Sequence, residues 1–227
     1  MAIIDGDLTI HQFGQEREPV VQINNFSGIA GELLEAARAA QYAPAGAYYP
    51  GIRARVDPSY LDRNRALFVQ VLGRVFGFTR TVRCDSSAFS IVTTPPGELA
   101  PLQRIPHHDQ SGGQIVAIMH YLQGPESGGT AFYRHRRTGF ETITPPREQA
   151  FLQALAEDER EFGEPEAGYY HGSGERYEMI GEIEAQPDRL ILYRGQLLHS
   201  GVIPDPARLS ADPAKGRVTI NMFFVGS

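Results

Sequence analysis

The second half of the chain alternates between short apolar runs and clusters of glycine and proline, and this alternation limits the folds open to it. Turn signals such as Pro95-Pro96-Gly97 and Ser111-Gly112-Gly113 separate runs of strand length. We interpret these runs as eight strands, at 86–94, 103–109, 114–123, 129–136, 177–185, 190–194, 197–204 and 217–225. Eight short strands in two facing sheets are typical of a jelly roll, also called a double-stranded β-helix.

Three other segments have helical patterns. An amphipathic helix is predicted over 29–41, and a second begins at Asp57-Pro58 and ends near Gly77. Each has an apolar stripe, so we expect these N-terminal helices to pack on the sheet. A polar helix is predicted from Thr144 to about Glu161, followed by a loop at 163–176, and together they form an insertion at 144–176. The prediction is therefore one mainly β domain over 1–227, with a helical lead-in at 1–82 and the β-helix core at 83–227.

Composition excludes several classes of function. The formal net charge of −6 argues against nucleic acid as a partner, because phosphate binding depends on cationic surface. The single cysteine, Cys84, cannot form an intrachain disulfide, and we therefore expect a cytoplasmic protein. The first residues lack the basic and apolar regions of a signal peptide, and no apolar run is long enough to span a bilayer. We expect no membrane association.

Two distant motifs carry the side chains of a possible metal site. His107 and Asp109 are two residues apart, so an extended backbone would direct both to the same side. His199 lies in another short apolar run and supplies a second imidazole. Two histidines and one carboxylate on one side of an ion form the facial triad of non-haem Fe(II) oxygenases. The alternative is that these side chains are merely hydrogen-bonded, because His-x-Asp is common by chance.

A cation and two hydroxyls complete the candidate site. Arg217 and Thr219 are two residues apart on the last predicted strand, so both side chains lie on one face, where they can bind a carboxylate. Tyr121 lies on the same face of its strand as several apolar residues, so its hydroxyl needs a partner, either such a carboxylate or a backbone group of the core. Arg208 has the same Arg-x-hydroxyl pattern and is the alternative to Arg217, although the prolines around it disfavour a core strand.

These residues resemble those of the Fe(II)/2-oxoglutarate-dependent dioxygenases, particularly the prolyl-4-hydroxylase-like branch. The matching pieces lie within about 105–225: His107-x-Asp109, Tyr121-Leu122-Gln123, Gly128-Gly129-Thr130-Ala131-Phe132, Leu198-His199 and Arg217-x-Thr219. The chain departs from the branch at two points: Thr130 directly follows the glycine pair, and Arg217 lies 18 positions after His199, longer than is usual. With Tyr49-Pro50-Gly51-Ile52-Arg53, the chain also resembles an uncharacterised bacterial family that carries this fold.

The resemblance implies a fold, two cofactors and a set of roles. It implies a double-stranded β-helix in which His107, Asp109 and His199 bind Fe(II), which is chelated by the co-substrate 2-oxoglutarate. The distal carboxylate of 2-oxoglutarate would then contact Arg217, Thr219 and Tyr121.

The function that follows is a dioxygenase that hydroxylates an unactivated C–H bond of a peptidyl residue or a small molecule. Two other classes stay open: a cupin-like metal-binding barrel with different chemistry, and a barrel that serves only as a binding module. The loop at 163–176, the turn at Tyr48-Tyr49 and the basic run at 134–137 are candidate rims of the substrate pocket.

Overall fold

The computed structural model describes residues 7–46 and 48–227. The three helices and eleven strands within these ranges are, in chain order, β1 (Leu8–Gln12), β2 (Pro19–Ile23), α1 (Ala30–Ala39), β3 (Ala43–Pro44), β4 (Gly51–Arg55), α2 (Pro58–Arg74), β5 (Val82–Val92), β6 (Gln114–Tyr121), β7 (Gly129–His135), α3 (Pro145–Phe162), β8 (Tyr177–Glu184), β9 (Arg189–Arg194), β10 (His199–Val202) and β11 (Val218–Gly226). The prediction of a mainly β chain is confirmed.

The strands form two antiparallel sheets. The large sheet has the order β1-β2-β9-β6-β11-β5-β4-β3, and the small sheet has the order β10-β7-β8. Strands that are distant in sequence are thus neighbours in space: β11 lies between β5 and β6, and β10 pairs with β7. This arrangement brings residues near 110, 200 and 220 into one region of the molecule.

The predicted strand at 103–109 is wrong. Residues Pro101–Arg104 form a turn of 3₁₀ helix, and beyond it His107 makes a single bridge to His199. Pro101 and Pro106 have no backbone N–H to donate, so a regular ladder cannot extend through this segment.

The lead-in is richer in strands than its sequence indicated. β1, β2, β3 and β4 all lie within it, and they extend the large sheet at both edges. The run at 18–24 also has the sequence pattern of a short strand and contains β2, whereas β4 begins directly after the Tyr48-Tyr49 turn and was missed. The division into a lead-in and a core stays a prediction about domain organisation.

The predicted start of the second helix is confirmed. The Asp57 carboxylate caps α2 by accepting a hydrogen bond from the Ser59 amide at 2.8 Å, and Pro58 occupies the first helical turn. The α2 side chain Phe68 lies against Phe224 of β11, with ring centroids 5.2 Å apart. Among the described residues, no helix has both the length and the apolar character needed to cross a membrane.

Strand β6 is apolar on both faces, and each face packs into a different hydrophobic cluster. Val116 and Ile118 belong to the buried cluster that also contains α1 and α2 side chains. Ala117 and Tyr121 belong to a second cluster, with Phe132 of the small sheet. The second face of β6 is therefore the interior face, directed toward the small sheet, and it carries the predicted site residue Tyr121.

A buried hydrogen-bond chain ties the lead-in to the sheet. The Tyr60 hydroxyl lies 3.0 Å from Nδ1 of His120, and Nε2 of His120 lies 2.9 Å from a carboxylate oxygen of Asp188. Asp188 also accepts from the backbone amides of Ser27 and Gly28 at 3.0 and 2.7 Å. Burial opposes the charge on Asp188, but the hydrogen bonds from His120, Ser27 and Gly28 outweigh it and lower its pKa to about 2.

Replacing Asp188 with alanine is expected to lower the free energy of unfolding by about 3 kcal/mol, because several buried donors lose their acceptor at once. Urea denaturation of the purified protein measures this change. Asp188→Asn is the matched control, since asparagine keeps an acceptor oxygen and tolerates the left-handed backbone at this position (φ 61°). We expect Asp188→Asn to lower the free energy of unfolding by about 2 kcal/mol, which corresponds to the lowered pKa of the Asp188 carboxyl.

The loss in Asp188→Asn should depend on pH. A carboxylate with a depressed pKa stabilises the fold above its unfolded pKa near 3.8, and this stabilisation disappears as the pH falls through about 2. Wild type and Asp188→Asn should therefore converge in stability as the pH falls from 4 toward 2. A difference that stays constant over this range would contradict the proposed role of the charge.

Candidate metal centre

The two predicted histidine ligands are joined through their backbones. His107 and His199 exchange a pair of hydrogen bonds, each 2.9 Å between N and O, across the single bridge that links the two segments. Their imidazole rings lie side by side, with centroids 4.4 Å apart. The start of β10 is thus the element that fixes both rings relative to each other.

Asp109 is directed to the same point by its own backbone contact. Its amide donates to the Gly195 carbonyl at 2.7 Å, and one carboxylate oxygen, Oδ1, lies 3.8 Å from Nε2 of His199. One potential ligand atom from each of His107, Asp109 and His199 lies within 4.8 Å of the others. The structure therefore brings together the three residues that the sequence predicted as ligands.

The His199 ring is held in an orientation that leaves one nitrogen free. Nδ1 of His199 lies 2.7 Å from the Leu197 carbonyl, a contact in which the ring must donate, so its Nε2 keeps a free lone pair. The Tyr193 ring packs against His199 with centroids 4.7 Å apart. The backbone contact and the aromatic contact together fix the direction of the Nε2 lone pair.

The electrostatics of the three groups suit a cation. Burial lowers the pKa of His107 and of His199 to about 4, and the proximity of His199 contributes to the shift at His107. The His107 residue is nevertheless exposed by its accessible surface, so this side of the candidate site is open to solvent. Both imidazoles are neutral at pH 7, which is the form that binds metal.

Asp109 has one buried carboxylate oxygen without a hydrogen-bond partner. Burial raises the pKa of its carboxyl to about 6, while the charges of His107 and Arg53 act in the opposite direction. Its Oδ2 is buried and has no hydrogen-bond partner. A buried carboxylate oxygen without a partner is costly, and a bound divalent cation would satisfy it. Two neutral imidazoles and one carboxylate are the donor set of non-haem Fe(II) sites, so the residues present fit that ion.

Arg217 is a buried cation held by carbonyl groups. It precedes β11, its side chain is 7% exposed, and its guanidinium donates to the carbonyls of Ser127 and Gly129 at 2.6 and 3.2 Å. It forms no ion pair with any carboxylate in the described part of the chain. A buried charge without a counter-ion is a candidate anion site. The alternative, Arg208, is exposed in a 3₁₀ turn at Pro206–Arg208.

The two predicted hydroxyl residues lie opposite each other. Thr219 of β11 is the register partner of Tyr121 of β6, so the two side chains share one face of the large sheet. The Tyr121 hydroxyl lies 2.6 Å from the Thr130 hydroxyl, and Thr219 donates to the Asn221 side chain at 2.7 Å. Burial raises the pKa of Tyr121 to about 12, although the nearby charge of Arg217 opposes the shift. Tyr121 is therefore protonated and able to donate.

The basic run at 134–137 does not form an open cationic surface. Arg134 is paired with Glu141 and with Glu178 at 2.6 and 2.9 Å. His135 is completely buried, and its Nε2 lies 2.7 Å from Asp158. These charges are already compensated within the protein, which weakens the interpretation of the run as a rim for an acidic substrate.

Two residues near the site were not connected with the metal ligands from the sequence. Arg53 of β4 lies close enough to Asp109 for its charge to lower the pKa of that carboxyl. The guanidinium carbon of Arg53 lies 4.4 Å from the centroid of the Tyr49 ring. Both belong to the Tyr-Pro-Gly-Ile-Arg segment, which the sequence singled out as a resemblance but did not connect to the metal ligands.

Solved structures with the same fold are known. The chain is similar to HygX from Streptomyces hygroscopicus, solved with iron bound, at 13% identity over 93% of this chain and 84% of HygX, with a TM-score of 0.52. A prolyl-4-hydroxylase from Pseudomonas putida gives 14% identity over 96% and 94% of the two chains, with a TM-score of 0.50. SnoN, an alpha-ketoglutarate-dependent epimerase of nogalamycin biosynthesis, gives 13% identity over 93% and 80%, with a TM-score of 0.50.

At 13–14% identity, these likenesses show that the chain shares the overall fold of the three proteins. No protein of curated function matches the chain by sequence. A family model does match, over residues 5–224, and it is described as a family of unknown function, DUF6445. The match covers nearly the whole sequence, and the chain belongs to the DUF6445 family.

Proposed function

We propose that this chain is an Fe(II)/2-oxoglutarate-dependent oxygenase that hydroxylates an unactivated C–H bond of a peptidyl residue or a small molecule. The observation that carries the proposal is the convergence of His107, Asp109 and His199 within 4.8 Å, with a buried Asp109 oxygen that has no partner. The fold adds support, since HygX has been solved with nickel, 2-oxoglutarate and hygromycin B, and SnoN with Fe3+ and alpha-ketoglutarate.

The proposed core is a double-stranded β-helix, with α1 and α2 packed on the outer face of the large sheet. Within it, His107, Asp109 and His199 would hold the iron, and the buried Arg217, with Thr219 and Tyr121, would bind the distal carboxylate of 2-oxoglutarate. When bound, iron and 2-oxoglutarate activate dioxygen for hydroxylation, at the expense of decarboxylating 2-oxoglutarate to succinate.

The chain itself contributes orientation and exclusion of water. The Leu197 carbonyl holds the His199 ring in one tautomer, and the Gly195 carbonyl holds the backbone of Asp109. The buried rings of Phe132 and Tyr193 pack edge to face, 5.2 Å apart, beside the site and keep that side of it apolar. Arg217 provides a charged partner whose position is already fixed by two carbonyls before the co-substrate binds.

Purified protein, freed of metal and titrated anaerobically, tests this proposal. We expect one Fe(II) per chain, 2-oxoglutarate binding only when metal is present, and succinate formation once air is admitted. Saturation with both ligands should raise the stability by about 3 kcal/mol or more at a hundredfold excess over Kd, visible as a rise in Tm. Chelation with EDTA should reverse the rise.

The two alternative classes give different results in the same titration. Binding of metal without any affinity for 2-oxoglutarate would replace the proposal with a cupin-like metal-binding protein. Failure to bind any divalent metal under anaerobic conditions would leave a binding module with no metal chemistry.

A further inference from the structure

Arg53 lies on the same sheet face as the proposed co-substrate residues. Arg53 of β4 is paired with Ser90 of β5, Ser90 is paired with Thr219 of β11, and Thr219 is paired with Tyr121 of β6. Residues directly opposite each other in antiparallel strands project from the same face, so all four side chains face the interior between the sheets. The next residue, Ala54, belongs to the cluster on the helix side, as the alternation requires.

The guanidinium of Arg53 has unused hydrogen-bonding capacity. Its Nε is buried and has no hydrogen-bond partner, and it forms no ion pair with any carboxylate of the described residues. It lies over the Tyr49 ring, 4.4 Å from the centroid, which holds the planar group in place. A positioned guanidinium with free donors in a partly enclosed site matches the geometry of a carboxylate.

The hydroxyl of Tyr49 is also unsatisfied. It is buried and forms no hydrogen bond of normal geometry; the Ser90 hydroxyl is close enough to lower its pKa but donates to the Ala88 carbonyl at 3.5 Å. The charges of Arg217 and Arg53 are both close enough to Tyr49 to oppose the rise in its pKa that burial causes. Arg217 and Arg53 therefore both lie within electrostatic range of Tyr49, and the candidate metal ligand Asp109 lies within the electrostatic range of Arg53.

Two separate guanidiniums imply two anionic groups. Neighbouring strands are about 4.8 Å apart, so Arg53 lies roughly 10 Å from Thr219 across two strand spacings. The distal carboxylate of 2-oxoglutarate can contact only one end of this row. We propose that Arg53, with the Tyr49 hydroxyl, binds a carboxylate of the molecule that is oxidised, so that the substrate is a carboxylic acid. This inference rests on the proposed function and names its substrate class.

The test uses acetate as the smallest carboxylate probe and acetamide as its uncharged match. The protein is loaded with Mn(II) in place of iron and with saturating 2-oxoglutarate, so that the Arg217 end is occupied and no turnover occurs. Paramagnetic relaxation of the methyl protons then reports whether each probe binds near the metal. For wild type we expect enhanced relaxation for acetate, with acetamide at least tenfold less effective at equal concentration.

Variants separate the Arg53 contact from other causes. Arg53→Met should weaken acetate binding about tenfold or more, the usual effect of losing a charged donor, and should change the 2-oxoglutarate affinity less than twofold. Tyr49→Phe keeps the stacked ring and should weaken acetate only a few-fold. Arg55→Met is the matched control, because Arg55 is an exposed arginine of the same strand, and it should leave both affinities unchanged. Circular dichroism and Tm verify that each variant is folded.

Three results would overturn the inference. Equal relaxation of acetate in wild type and Arg53→Met would mean that acetate coordinates the metal or binds elsewhere. A parallel loss of acetate and 2-oxoglutarate affinity in Arg53→Met would make Arg53 part of the co-substrate site. If the wild type binds Mn(II) and 2-oxoglutarate but shows no acetate effect, only the carboxylate site proposed here is rejected. If the wild type fails to bind Mn(II) or 2-oxoglutarate, the proposed function itself is rejected.

Discussion

Replacing Asp109 with alanine is expected to abolish metal binding and to lower 2-oxoglutarate-dependent succinate formation at least a hundredfold. Asp109 supplies the only negative charge among the three candidate ligands, and the two imidazoles that remain are neutral. Removing even a group that only orients a ligand typically costs 10- to 100-fold in metal affinity, so loss of a charged ligand should cost about that much or more. Anaerobic Fe(II) titration and a succinate assay measure the two effects.

The same substitution should not destabilise the metal-free protein. In the absence of a cation, the Asp109 carboxylate is buried with an unpartnered oxygen and a raised pKa of about 6, which opposes folding. Metal-free Asp109→Ala should therefore have a Tm equal to or above that of the metal-free wild type, while losing the rise in Tm that metal produces. A misfolded variant would have a lower Tm without metal, so an unchanged or higher Tm in metal-free Asp109→Ala indicates that only a metal ligand has been lost.

Asp85→Ala provides a control, because Asp85 is an exposed carboxylate on β5 whose partner is Arg83, at 2.9 Å. It should retain metal binding, activity and the metal-induced rise in Tm. Unchanged iron stoichiometry in Asp109→Ala would remove this residue from the site and would contradict the proposed function.

The three candidate ligands could be predicted from the sequence because each lies in a recognisable local pattern. His107 and Asp109 are two residues apart, and His199 lies in a short apolar run that precedes a strong last strand. What the sequence misjudged is the backbone that presents them. Pro101 and Pro106 prevent a strand, and a single bridge between His107 and His199 holds the geometry that a full ladder was expected to provide.

The role of Arg53 could not be predicted, because it depends on the register of three strand pairs. Its alignment with Ser90, Thr219 and Tyr121 joins positions that are far apart in sequence, and no local pattern specifies it. β4 is also short and follows a proline and two tyrosines, so the segment resembled a turn. The edges of the large sheet were missed for the same reason: β1, β3 and β4 are short, and their pairing decides their conformation more than their own sequence does.

Replacing Arg217 with methionine is expected to raise the Kd for 2-oxoglutarate about a hundredfold. The guanidinium is buried, is held by the carbonyls of Ser127 and Gly129, and has no carboxylate partner of its own among the described residues. Losing one member of a buried charge pair costs about 3 kcal/mol, which corresponds to the stated change in Kd. Arg208→Met is the matched control: Arg208 is exposed, and its removal should leave the affinity unchanged. Calorimetric titration of the Mn(II)-loaded protein measures both.

A comparison of ligands identifies which group of the co-substrate Arg217 contacts. 2-Oxopentanoate keeps the keto acid end of 2-oxoglutarate and lacks the distal carboxylate, so it should bind wild type about a hundredfold more weakly. In Arg217→Met the two ligands should bind with similar affinity, because the residue that distinguishes them is gone. A disturbance of the fold by the loss of the Ser127 and Gly129 contacts would weaken both ligands equally and preserve the difference. Retention of the full preference for 2-oxoglutarate in Arg217→Met, with loss of that preference in Arg208→Met, would transfer the role to Arg208.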